Sequence, residues 1–326
     1  MRDRPMAYVV IAGLMCAALL SGSGCEKSNN ALNLYLDGIL LTEYDDNVQA
    51  VQKLEQAVKE DKKFWYAWSV LGEVYEKLED YPNSVASYQK ATEINPNSPK
   101  NFMNLGRVYK IMKELTKAVD AYVRACQIDP NHLQAHLEAA KCYVELEDYD
   151  NALNYGRRAE QIDPNVTEVQ LLLAEVYQWR DDFEEAVKSY KRVLELDSKN
   201  PDALTYLALA YIKMEYYEPA KELLTLAVAA QPDNAKAYKY LGYSLLKLNA
   251  VDEAIPAYES ALAIDQKDWE TLRSLGVAYM LKAISAADEN FKAKAVEQWR
   301  VSLQTEPDQP NSQVMLKLIE KYSNGE

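Results

Sequence analysis

An all-α fold built from a repeated helix–turn–helix unit of 34 residues is what this chain predicts, and three observations carry the prediction. The string QIDPN occurs at residues 127–131 and again at 161–165, a spacing of 34, and the same step from Pro130 and Pro164 lands on Pro96 and Pro232. Numbering each unit so that this residue holds position 32 gives eight units, starting at Ala31, Trp65, Pro99, Leu133, Thr167, Pro201, Ala235 and Trp269. Position 8 is then Gly or Ala in all eight units, and five of the seven glycines after Cys25 fall there. Finally, glycine and proline are sparse in the 326 residues, with 10 and 12 copies, and no alternating apolar run suggests strands.

The elements follow in order. Residues 1–24 read as a signal peptide: two arginines in MRDRPMAY precede the apolar run Val9 to Leu20. Twelve helical residues span about 18 Å, short of the roughly 30 Å hydrocarbon core, so the run does not read as a spanning helix. It ends in SGSGC, which resembles the lipobox of bacterial lipoproteins, although Gly22 stands where that motif usually has leucine. The resemblance implies a diacylated Cys25 and attachment to a membrane at the periplasmic face of a bacterial envelope. Cleavage after Ser23 with secretion, and an uncleaved anchor, are the alternatives. Residues 25–30 then form the lipidated cysteine and a short tether, EKSNN, of roughly 17 Å if extended.

Eight repeats are expected over residues 31–309. Position 20 is small throughout, from Ala50 and Ser84 to Ala254 and Ala295; position 11 is tyrosine in six units and position 7 leucine in six. Glycine inside a helix costs up to about 1 kcal/mol relative to alanine, so its recurrence needs a steric cause: close approach of paired helices. EDYDNA at Glu147 to Ala152 marks the turn within a unit. NSPK and KNPD place Ser98 and Asn200 as N-caps with Pro99 and Pro201 in the first helical position. QIDPN would thus end one helix and cap the next. The last unit carries seven extra residues within LKAISAADENFKAKA, close to two helical turns, and reads as a longer hairpin or a docking finger.

These positions resemble the tetratricopeptide repeat: aromatic at 4, Leu-Gly at 7 and 8, Tyr at 11, Ala at 20, Tyr at 24, Ala at 27, Pro at 32. The third unit matches throughout, with Phe102, Leu105, Gly106, Tyr109, Ala118, Tyr122, Ala125 and Pro130. The resemblance implies a right-handed α-solenoid superhelix whose inner face is made by the first helix of each pair. Residues 310–326 resemble its C-terminal capping helix and tail.

The formal net charge of −14 argues against nucleic-acid partners. Two histidines and the absence of phosphate-loop, dinucleotide, nucleophile-elbow or zinc-protease strings argue against an enzyme, a cofactor or a metal. His132 and His136 lack a third ligand, and Cys126 and Cys142 are expected as two buried thiols rather than a disulfide. The fourth unit looks thin, with His136, Ala139 and Gly156 at positions normally bulky. Bulky neighbours fill it, or it bends, or it accepts a ligand.

Function is therefore expected on the inner stripe at positions 2, 5, 9 and 12. The third and fourth units present Lys100, Met103, Arg107, Lys110, Leu137 and Lys141; the seventh and eighth present Lys236, Lys239, Tyr243, Arg273 and Met280. Trp179 lies beside the stripe as an aromatic anchor. No asparagine occupies position 9, so the family's clamp for a C-terminal carboxylate is absent. The two basic clusters favour an acidic or extended protein segment. The reading is a membrane-anchored, non-catalytic scaffold. Its alternatives are a small-ligand receptor or enzyme using the fourth unit, and a spacer acting through its convex face.

Overall fold

A computed structural model describes residues 25–323, with side chains from Asn29. The signal peptide expected at 1–24 and the Cys25 side chain lie outside the described residues. Within them the chain is helical, with seventeen α-helices and no strand. The chain divides into two compact units, meeting in sequence at Asp163 and Pro164.

In the first unit the helices are α1 (Cys25–Glu43), α2 (Asn47–Glu60), α3 (Trp65–Lys77), α4 (Tyr81–Ile94), α5 (Pro99–Ile111), α6 (Leu115–Ile128), α7 (Leu133–Glu145) and α8 (Tyr149–Ile162). The second contains α9 (Thr167–Trp179), α10 (Phe183–Leu196), α11 (Pro201–Lys213), α12 (Tyr217–Ala230), α13 (Ala235–Lys247), α14 (Val251–Ile264), α15 (Trp269–Ala286), α16 (Glu289–Thr305) and α17 (Ser312–Ser323). Each pair is one repeat, packing chiefly within itself and then on its sequence neighbours. First helices of successive repeats touch, α1 on α3 and α3 on α5 in the first unit, α11 on α13 and α13 on α15 in the second. They form the inner layer of each unit.

The small residue at position 8 meets the large one at position 24. A Cβ on Gly106 would sit 2.7 Å from the Tyr122 ring, on Gly72 2.9 Å from Tyr88, and on Gly276 2.4 Å from Trp299. Distances below 3.0 Å cannot be accommodated by a rigid ring, so glycine is required where the helices cross. In the fifth repeat position 8 is Ala174, and Tyr190 instead stacks on Tyr206 at 6.1 Å and donates its hydroxyl to Gln178 at 2.9 Å.

The turn inside each repeat is a Schellman motif. Asp80 N–H donates to Tyr75 O at 2.9 Å, and Glu114, Asp148 and Asp182 do the same to Tyr109, Tyr143 and Tyr177. The left-handed residue at position 15 is Glu79, Lys113, Glu147, Asp181, Glu215 or Asn249, never glycine. Position 16 then caps the second helix: the Asp46, Asp80 and Asp148 side chains accept from Gln49, Asn83 and Asn151 N–H.

QIDPN needs one refinement. The preceding helix ends inside the string, at Ile128 or Ile162, and the N-cap of the next helix is the residue after it, His132 or Val166. The aspartate holds the loop: Asp129 accepts from Asn131 N–H at 3.1 Å, as Asp197 does from Lys199.

One further expectation is corrected. The EKSNN stretch is the start of α1. Nothing between Gly24 and Gly38 breaks a helix, so the five residues rise about 7.5 Å rather than 17 Å. The seven extra residues of the last repeat are shared between its helices: α15 has 18 residues and α16 has 17, against 13 and 14 in the repeat before. The last repeat is thus a longer hairpin, as its sequence suggested. The terminal helix α17 closes the second unit, burying Met315 and Ile319.

Candidate functional site

On the first unit's inner layer the expected cations are all engaged. Lys100 pairs with Glu73 at 3.0 Å, and Arg107 pairs with Glu76 while also donating to Asn104 at 3.1 Å. Lys110 and Lys141 converge on Glu138 at 3.0 and 2.9 Å. Burial pushes the Glu138 carboxyl up, but the bonds from Lys141 and Lys110 outweigh it, leaving it below the ordinary carboxylate range. Met103, Arg107 and Lys110 do share a groove of about 490 Å³ with Gln134 and Glu138. These charges act as ties from one repeat to the next.

Leu137 cannot be a contact residue, because it is fully buried, and Met280 is also buried, in the core beneath α15 and α16. The physical reason is shared. Position 5 faces the joint between successive first helices, where Ser69 donates to Asn101 at 2.8 Å and Asn234 to Thr205 at 3.4 Å. Position 12 turns toward the paired second helix.

The second basic cluster splits. Lys239 is half-buried between Asp268, at 3.0 Å, and Glu270. Burial lowers its pKa, and the bonds to Glu270 and Asp268 more than restore it, so it stays cationic. Arg273 lies over the Trp269 ring at 5.0 Å and donates to Pro310 O at 3.2 Å, tying α15 to the segment that leads into α17. Tyr243 meets Tyr217 edge-on at 6.2 Å, with Lys247 5.5 Å above it.

Trp179 and Lys236 belong together. They line a cavity of about 700 Å³ in the second unit, formed by the inner faces of the fifth, sixth and seventh repeats. Its apolar wall is Leu171, Tyr206 and Leu209, with Phe183 and Tyr190 at the back. Its charged lining is Glu175 and Asp181 from the fifth repeat, Asp202 and Lys213 from the two ends of α11, and Lys236 from the start of α13. Lys236 stands 4.2 Å above the Tyr206 ring, and Trp179 is 61% exposed. A large indole held open to water at the mouth of a cavity suits an anchor for a partner.

The sequence reading missed Leu171, Glu175, Asp202, Tyr206 and Leu209. Four of them occupy the same positions 2, 5 and 9 in repeats that it passed over because they lack basic clusters. A second signal was available for the ion pairs. Lys100 and Glu73, Arg107 and Glu76, and Lys239 and Asp268 are separated by 27, 31 and 29 residues, nearly one repeat.

The thin centre of the fourth repeat is filled. Tyr155 packs on His136 at 5.8 Å and stacks on Tyr143 at 5.5 Å. His136 donates from Nε2 to Pro130 O at 3.1 Å, just as Gln170 donates to Pro164 O and Trp68 to Lys62 O. Position 4 is thus a staple onto the carbonyl of position 32, and a polar residue there keeps the bond that a phenylalanine would lose. His132 is the N-cap of α7, its Nδ1 accepting from Ala135 N–H. No group of three or more metal-ligating side chains occurs among the described residues. Cys126 and Cys142 are both buried free thiols; burial pushes them up to about 12 and about 11, which keeps them protonated and inert.

Several solved structures resemble the chain in fold. YrrB, described as a tetratricopeptide-repeat protein with an unusual peptide-binding site, is 23% identical, with TM-score 0.52, covering 56% of this chain and 95% of its own. The C-terminal part of a repeat protein from Cytophaga hutchinsonii gives TM-score 0.60 at 14% identity, covering 75% and 98%. PilW, described as a type IV pilus biogenesis factor, gives 0.50 at 19%, covering 65% and 98%. No curated protein matches the chain. The family profile described as the cilia and flagella-associated protein 70 C-terminal domain matches residues 26–275. With that match over most of its length and a 34-residue helical repeat that runs through both units, the chain belongs to this tetratricopeptide-repeat family, whose fold is a scaffold for protein–protein interaction.

Proposed function

We propose that this chain is a non-catalytic scaffold that holds a segment of a partner protein in the groove of its fifth to seventh repeats. We further propose that acylation of Cys25 keeps it at a bacterial envelope membrane, where it serves the assembly of an envelope complex. The observation that carries the binding reading is the 700 Å³ cavity with Trp179 exposed at its mouth. Its size and mixed apolar and polar lining suit a few side chains of a polypeptide. Anchoring rests on the sequence pattern ending at Cys25, and the envelope role on analogy with a pilus biogenesis factor alike in fold only.

Binding is tested by crosslinking intact cells and capturing the protein, with wild type compared to a Trp179→Ala, Leu209→Ala variant of equal melting temperature. Loss of one discrete envelope protein from the variant's capture is expected; identical captures would move attention to the second-helix face. Anchoring is tested by metabolic labelling with an alkynyl fatty acid. Label should enter the wild type and be lost in Cys25→Ala, and an unlabelled wild type would end the lipoprotein reading.

A further inference from the structure

The groove of the second unit differs from the rest of the inner layer in how its charges are disposed. Seven expected cations lie on positions 2, 5, 9 and 12 of this layer. Lys100, Arg107, Lys110, Lys141 and Lys239 each pair with a carboxylate, and Arg273 donates to a backbone carbonyl. Lys236 has only the Tyr206 ring. Lys213, beside it in the cavity, forms no ion pair among the described residues, and neither do Glu175, Asp181 and Asp202. Five charges line one groove, Glu175 and Asp181 on the fifth repeat, Asp202 and Lys213 at opposite ends of α11 in the sixth, and Lys236 at the start of α13 in the seventh, together with the apolar Leu171, Tyr206 and Leu209.

Elsewhere on this layer the paired cations find a carboxylate about one repeat away or, for Lys141, on the same helix. Here the charges line a cavity without forming ion pairs among the described residues, and from the fifth repeat to the seventh the charge passes from acidic to basic. An unpaired, exposed charge costs little by itself, but charges of both signs along one groove reject any partner whose charge has a single sign. Resting on the groove reading above, we propose that the partner is a bipolar segment lying along the groove: a bulky apolar anchor seated against Trp179 and Leu209, basic residues toward Glu175 and Asp181 on the fifth repeat, and acidic residues toward Lys236 on the seventh. This replaces the acidic segment that the basic clusters suggested from sequence, because those clusters are neutralised by Glu73, Glu76, Glu138, Asp268 and Glu270.

The test uses the purified full chain and four fluorescein-labelled peptides read by anisotropy. All share a Leu-Phe-Leu-Leu centre and carry lysine pairs before and glutamate pairs after it, the reverse, glutamates on both sides, or lysines on both sides. One of the two bipolar peptides should bind at least about tenfold more tightly than either single-sign peptide. A Lys213→Glu, Lys236→Glu variant should shift the preference to the all-lysine peptide, and Trp179→Ala should weaken every peptide. The proposal is overturned if the all-glutamate peptide binds best, if the charge variant leaves the ranking unchanged, or if none binds. Should Trp179→Ala weaken binding while the ranking ignores the charge variant, the groove reading survives and the bipolar partner does not. Should Trp179→Ala change nothing, both fall.

Discussion

At the scale of single residues, the contact between position 8 and position 24 governs how closely each pair of helices packs. Gly106 is the clearest case, since Cε1 of Tyr122 lies 2.7 Å from where a Cβ would be. Alanine has the higher helix propensity, by about 1 kcal/mol, and overpacking costs about 1–3 kcal/mol. Gly106→Ala should therefore lower stability by up to about 2 kcal/mol in urea titration; a gain would show that the glycine is there for another reason. His136 makes a second prediction at this scale. Burial holds its imidazole below the ordinary value while Nε2 donates to Pro130 O. As pH falls through about 6.5, the unfolded chain takes up a proton that the folded site refuses, so stability is lost toward acid. His136→Gln keeps the donor, as Gln170 does one repeat later, and should remove that part of the loss between pH 7.5 and 5.5.

At the scale of elements, the turn at positions 14 to 16 closes each repeat with backbone bonds to position 11 and a side-chain cap from position 16. Its left-handed residue bears a side chain in every repeat, with φ of 62° at Lys113. An L-residue there costs about 1–2 kcal/mol, partly offset by the greater freedom that glycine brings to the unfolded chain. Lys113→Gly should raise stability by about 0.5–1 kcal/mol, measured as a higher urea midpoint with unchanged slope. This turn was half legible in the sequence. The aspartates at 46, 80 and 148 announce a cap, whereas the left-handed residue before them is hidden because no glycine marks it. Positions 8, 20 and 24 were fully legible, since each expresses one steric demand in one residue. His136 was misread as a deficit because its role is a hydrogen bond to a loop six residues earlier, not the filling of space.

At the scale of the whole molecule, the two units share one repeat and differ in what their inner layers carry. In the first, charges at positions 9 and 12 pair across repeats; in the second, the corresponding stripe opens into the Trp179 cavity. Charge counted along the sequence pointed mostly to cations that are paired, because a cation's availability depends on a carboxylate about 30 residues away, which a stripe within one helix does not reveal. Trp179 was legible as an aromatic beside the inner stripe, and the structure places it, exposed, in the lining of a cavity. The central claim, that the working surface is the inner groove of the second unit, is tested most directly by placing a photoreactive phenylalanine analogue at position 179, 107 or 226 and irradiating intact cells. Positions 107 and 226 sample the ion-paired inner layer of the first unit and the exposed face of α12. The account predicts one discrete protein adduct from position 179 alone; adducts of equal yield from position 107 or 226, or none from 179, would contradict it.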